Sequence, residues 1–235
     1  MKKTLHLTFP TLHRFIIIVF MFSLFESCKK ADSKDVNQDK IYAEYELFYD
    51  KNAGKTYASA IFKFDNALGT QLALTAPSEI KFNGDLIPYD PVFAYYRKEY
   101  SGQVNSGTFY FKDTNGKLFS NTVTLAKQLT NPVADTIKRT SAYSYAWIGD
   151  SLAANELIGL TLINHVNPAN FQPFFQYTVG SKDLVLSLKQ LHQLPIGMCD
   201  SQLDRQIETA APSATSAGAK IRGKYRALNT SVYIK

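Results

Sequence analysis

The feature that most constrains this chain is a side-chain period of two, which starts at Ile41 and recurs almost to the C-terminus. Ile41, Ala43, Tyr45, Leu47 and Tyr49 alternate with Tyr42, Glu44, Glu46, Phe48 and Asp50. A helix needs apolar residues three and four apart, whereas strict alternation sends neighbours to opposite faces of a strand. Lys51-Asn52-Ala53-Gly54 interrupts the run. Ala58, Ala60, Phe62 and Phe64 then alternate with Tyr57, Ser59, Ile61, Lys63 and Asp65. Two alternating runs around a glycine-containing loop predict a hairpin.

The pattern continues through 71–74, 79–82 (closed by Asn83-Gly84), 92–100, 108–112 and 117–125, with Asp113-Thr114-Asn115-Gly116 as the strongest turn. About seven short strands with turns every ~8–12 residues, and no convincing helix, predict a sandwich. Residues 129–135 break the period and read as a linker. A second series follows at 141–148, 156–163, 171–178, 184–188, 199–208, 220–227 and 231–234, with single helical turns at 151–155 or 188–194. The expectation is an all-β fold with two β-sandwich domains, 41–128 and 136–235. One continuous sandwich with a long meander is the alternative. Apolar residues are 45% and charged residues 20% of the chain, a packed composition rather than a disordered one.

The N-terminus reads as an address. Residues 1–14 carry Lys2, Lys3 and Arg14 and no acid, and an eleven-residue apolar run follows from Phe15 to Phe25. A basic leader before a short apolar core is the pattern of a secretory signal, and a bilayer span needs ~20 apolar residues. The run ends in Leu24-Phe25-Glu26-Ser27-Cys28. This resembles a bacterial lipobox of the relaxed kind found in Bacteroidota-type lipoproteins, with Ser27 and Cys28 in the matching places and Phe25 and Glu26 departing from them. The resemblance implies cleavage of residues 1–27, acylation of Cys28 and attachment to the outer membrane, on its periplasmic or its outer face. At the level of architecture the whole resembles small lipoproteins built from immunoglobulin-like modules.

Cleavage removes three of the 26 basic and one of the 20 acidic residues, which lowers the net charge from +6 to +4 and weakens any case for nucleic acid. Residues 28–40 are polar and mixed in charge and predict a tether. With Cys28 acylated, Cys199 has no partner in the chain and is expected to be buried; a reactive thiol would need a histidine and a further polar group beside it.

Several constellations compete for a role. Tyr143, Tyr145 and Trp147 share one strand face ~6–7 Å apart, either as a core row or as an exposed platform for sugar rings. A cluster around Phe93, Tyr95 and Tyr96 is a second candidate for a glycan. Lys220, Arg222, Lys224 and Arg226 share a face and could hold an anionic ligand. Asp200, Gln202, Asp204, Gln206 and Glu208 share a face of the preceding strand, so a charge ladder explains both rows, one register pairing Glu208 with Lys220 and Asp204 with Lys224. Asp113-x-Asn115-Gly116 faintly resembles a calcium loop but lacks the distal ligands and reads as a turn. Asp135-Thr136-Ile137 and Asp150-Ser151-Leu152 resemble O-glycosylation sites of Bacteroidota-type exported proteins, which would place glycans on Thr136 and Ser151.

The sequence holds no Gly-rich phosphate loop, HExxH, GxSxG or CxxC. Glu44 and Glu46 read as a solvated face rather than a glycosidase pair. His165 and His192 have no third ligand for zinc, and no metal or cofactor is expected. The expectation is a non-enzymatic, lipid-anchored envelope protein whose partner is another protein or a glycan. A glycan-binding accessory protein is the alternative, and a hydrolase of envelope polymers stands behind both.

Overall fold

A computed structural model describes residues 31–134 and 136–235. The leader, its apolar run and Cys28 lie outside them. The first half carries β1 (Ala31–Asp32), β2 (Ile41–Asp50), β3 (Lys55–Phe64), β4 (Leu72–Ala73), β5 (Glu79–Phe82), β6 (Asp85–Leu86), β7 (Tyr89–Asp90), β8 (Tyr95–Ser101), β9 (Ser106–Lys112) and β10 (Leu118–Thr124). The second carries β11 (Leu129–Thr130), β12 (Thr136–Ile137), β13 (Tyr143–Ala146), β14 (Ile148–Gly149), β15 (Glu156–Asn164), β16 (Phe171–Gln176), β17 (Asp183–Leu186), β18 (Gly197–Ala210), β19 (Ala219–Arg226) and β20 (Thr230–Ile234). A single helical turn, α1 (Leu188–Leu191), precedes β18. The all-β class holds.

One ten-stranded sheet runs through both halves in the order β12-β20-β18-β19-β2-β3-β8-β7, with β15 on the opposite side of β18 and β16 beyond it. The joint is parallel: β2 pairs with β19 from Ala43 opposite Ala219 to Asp50 opposite Arg226. The segment 129–135 therefore does not separate two independent sheets. Buried apolar residues nonetheless gather in two cores on one face of the shared sheet. Over the first half lies the sheet β10-β9-β5-β6, where Tyr45 stacks on Phe109 at 5.2 Å and Phe62 meets Phe111 at 4.6 Å. Over the second half, β13 paired with β17, together with α1, covers Leu160, Leu162, Leu203 and Tyr225. Tyr49 packs against both cores, its ring 5.7 Å from that of Tyr225.

The chain passes from one half to the other directly over β19. A Cβ at Gly223 would sit 1.9 Å from the Thr124 carbonyl oxygen. That clearance belongs to backbone, which cannot swing aside, so the crossing needs a glycine.

The polar segment expected to be a tether is instead folded onto the first core from Ala31 onward. β1 pairs in parallel with β4. Ser33 Oγ accepts from the Thr75 amide at 2.9 Å, and the Gln38 side chain donates to the carbonyls of Ser33 and Val36 and accepts from the Thr114 amide. Side-chain to backbone hydrogen bonds let two polar residues be buried here, which composition alone does not reveal.

Candidate recognition surface

The expected aromatic row on β13 is not a platform. Tyr145 and Trp147 are only 1% and 4% exposed, and Tyr143 packs against the same core. β13 and β17 form the cover of the second core, so the large side chains of β13 point into it. The Tyr145 hydroxyl donates to Asn131 Oδ1 and lies 2.7 Å from Ser201 Oγ. Trp147 Nε1 donates to the Asp150 carbonyl at 2.9 Å. Both polar tips are satisfied internally, as burial requires. The second aromatic candidate is also divided: Phe93 is exposed, Tyr95 half-buried, and Tyr96 buried with its hydroxyl accepting from the Leu74 amide. Beside it lies an open groove of about 500 Å³ between the β7 segment and the outer face of β8, lined by Pro88, Asp90, Tyr95, Arg97 and Glu99.

The basic row of β19 is a ladder, not an open anion site. Its register differs by two residues from the expected one: Glu208 lies opposite Arg222 and Asp204 opposite Arg226. The long side chains reach diagonally, so the expected partners still meet, Lys220 with Glu208 at 2.7 Å and Lys224 with Asp204 at 2.9 Å. Arg222 also reaches Glu208 and, across the parallel joint, Glu46; Arg226 grips Asp204 with two nitrogens. Burial raises the Asp204 and Glu208 carboxyls, but the hydrogen bonds and charges of the neighbouring cations outweigh it, and both end below their ordinary values. Glu44 is tied to Lys63 at 2.8 Å. Glu44 and Glu46, read as a solvated face, are separate struts of it, one held by Lys63 and the other by Arg222. Phe48 lies in the same face, stacked on Tyr57 and covered by Lys224 and Arg226.

At the far edge of the sheet the outer face changes character. Along β16, Phe171, Pro173 and Phe175 lie opposite Ile163, Thr161 and Gly159 of β15, while Phe174 points into the core. Phe171 and Phe175 are 56% and 62% exposed, and Tyr177, just past the strand end, is 73% exposed. The Phe175 ring rests over Gly159, where an added Cβ would touch it at 3.4 Å. Among the described strands β16 pairs only with β15, which leaves it an edge of this sheet, with Gln176 Nε2 donating to the Asp183 carbonyl of β17 at 3.2 Å. Pro173 offers no N–H on that edge and its carbonyl accepts from Gln190 Nε2 at 3.2 Å. Proline at this place discourages uncontrolled strand addition and leaves the apolar side-chain row as the available contact.

The remaining candidates fall out as follows. Asp113 is buried and its Oδ1 accepts from the amides of Asn115 and Lys117, the geometry of a turn. Thr136 is half-buried in β12 against β20, and Asp135 lies outside the described residues. Ser151 is half-buried, and its carbonyl is held by Arg205. Cys199 is buried, and burial raises its thiol pKa. His165 pairs with Asp200 at 2.8 Å on the outer face, so it is turned away from Cys199. The His192 carbonyl accepts from Arg139. Among the described residues no three His, Cys, Asp or Glu side chains converge as a metal site.

Two buried polar centres went unread in the sequence. Arg205 is fully buried, donates to the carbonyls of Asp150 and Ser151 at 3.0 and 2.8 Å, and is ion-paired with Glu156. Its signal was a charge at an inward phase of β18, between Leu203 and Ile207. Asn131, within the supposed linker, donates to the Ser201 carbonyl at 2.7 Å and pins the linker to the sheet.

No protein-family model matches the chain, and no curated protein matches it. A solved structure of a 1.5-MDa bacterial ice-binding adhesin, described for its host cell surface retention, is similar over 83% of this chain and 65% of its own, at 12% identity and a TM-score of 0.23. The match thus spans less than two thirds of that adhesin chain, and at this score the likeness carries no argument. Among the described residues no helix is long and apolar enough to cross a membrane.

Proposed function

We propose that this chain is a non-enzymatic, lipid-anchored protein of the bacterial cell envelope, held at the outer membrane through Cys28, that recognises another macromolecule through the outward row of β16. The two cores are read as immunoglobulin-like modules fused along one sheet. The observation that carries the reading is the combination of Phe171, Pro173, Phe175 and Tyr177 along the edge strand β16, beside the charge ladder of β18 and β19. Soluble proteins seldom leave a contiguous row of large apolar side chains in water without a partner for it. The partner is a protein or a glycan. The glycan alternative draws on Phe171 and Phe175, which share one strand face ~13 Å apart with the Pro173 ring between them, an apolar row for sugar faces. Affinity electrophoresis of the mature chain in gels containing purified envelope polysaccharides separates the two. Retardation that is lost in Phe175→Ser identifies a glycan. Unchanged mobility, with a Phe175-dependent complex in co-purification from intact envelopes, identifies a protein. Equal behaviour of wild type and Phe175→Ser in both assays refutes the surface.

A further inference from the structure

Ala31 is fixed in β1, its amide donating to the Gln71 carbonyl at 3.1 Å, and Asp32 lies opposite Ala73. Cys28 is three residues upstream. Three residues span at most about 11 Å, so an acylated Cys28 cannot lie farther than that from Ala31.

The same end of the sheet carries exposed apolar tips. The loop 65–71, which follows β3 and delivers Gln71 to β1, presents Leu68 at 97% exposure. The turn 91–94 joins β7 to β8 toward the end where β3 stops, since β8 runs antiparallel to β3 from Ser101 opposite Lys55 to Tyr96 opposite Ala60. That turn presents Val92 and Phe93, 78% and 65% exposed. β8 and β1 are tied at this end, since the Tyr96 hydroxyl accepts from the Leu74 amide, next to Ala73, which lies opposite Asp32. Lys40 and Lys34 at this end are paired with Asp65 and Asp32. Attraction to anionic headgroups is therefore largely cancelled, and apolar contact is what this end offers a bilayer.

We propose that this end of the first module docks on the lipid surface, with Leu68, Val92 and Phe93 entering the interfacial layer beside the anchor. The occupant is the phospholipid bilayer itself. The proposal rests on the anchoring reading above. It fixes the orientation of the sheet: the β2–β3 turn, 51–54, lies one ten-residue strand away, ~30 Å from the membrane.

The full-length chain, made in an acylating bacterial host, is purified in detergent and reconstituted into phosphatidylcholine vesicles with plain or brominated acyl chains. Three variants each carry one added tryptophan, Leu68→Trp, Phe93→Trp and Ala53→Trp, over the constant background of buried Trp147. Brominated chains should abolish the added emission at 68 and 93 and leave that at 53 intact. Flotation of the same vesicles with wild type and Cys28→Ser reads the anchor separately. Wild type that floats only through Cys28, with 68 and 93 unquenched or 53 quenched equally, overturns the orientation and leaves the anchor standing. Wild type that does not float removes the anchor, and the proposal falls with it.

Discussion

Replacing Arg205 by methionine keeps the length of the side chain and removes its charge. Arg205 is fully buried, and its departure strands the Glu156 carboxylate, which would retain only the Ala153 amide at 2.7 Å. Breaking a buried pair by removing one partner costs about 3–5 kcal/mol, because the surviving charge has no water to turn to. That is a large share of the 5–15 kcal/mol typical of a folded domain. The carbonyls of Asp150 and Ser151 lose a donor as well, but both sit near the surface and water can replace it. The double variant Arg205→Met/Glu156→Leu should therefore recover most of the loss. Urea unfolding followed by Trp147 fluorescence suits the test, since Trp147 Nε1 and Arg205 Nη1 donate to the same Asp150 carbonyl. A single variant that costs under ~1 kcal/mol, or a double variant no better than the single, would refute the view that this pair is a coupled structural unit.

Three further outcomes are expected. Gly223→Ala should cost ~1–3 kcal/mol or more, because its Cβ collides with the Thr124 carbonyl; unchanged urea midpoints would contradict the crossing. Asp204 has a folded pKa below its unfolded one, so its contribution is present above the unfolded value of about 4 and is lost as pH falls through the depressed folded value. Melting temperature should thus drop on acidification below about pH 4, less steeply in Asp204→Asn than in wild type; equal slopes would show that the ladder is not the cause. The Cys199 thiol should resist an aromatic disulfide reagent in the native protein and react fully in denaturant; prompt native reaction would place it at an accessible site.

The strands themselves were legible because alternation is a local property. So was the charge ladder, since two rows of opposite sign on consecutive strands need only a hairpin to meet. The register was two residues out, and flexible lysine and arginine stems absorbed the difference. What could not be read is which face of a strand receives a second layer. β13 and β16 both carry aromatics at even spacing, Tyr143 with Tyr145 and Phe171 with Phe175, yet β13 is a lid with its rings inward, and β16 is an edge with its pair outward. The parallel joint of β2 with β19 links residues about 175 positions apart and leaves no local mark. Polar residues 31–40 look like a tether until Ser33 and Gln38 are seen bonded to backbone. Arg205 does leave a local mark, a charge in an inward phase between Leu203 and Ile207, although it went unread in the sequence.

A partner that covers the β16 row, as proposed, would sit within reach of Phe175. A photoreactive benzoylphenylalanine in place of Phe175, in cells making the full-length chain, tests it without knowledge of that partner. Leu118, with 58% exposure close to the 62% of Phe175, is the control position. A discrete higher-mass adduct is expected on irradiation at 175 and none at 118. No adduct at 175, or the same adducts at both positions, would contradict it.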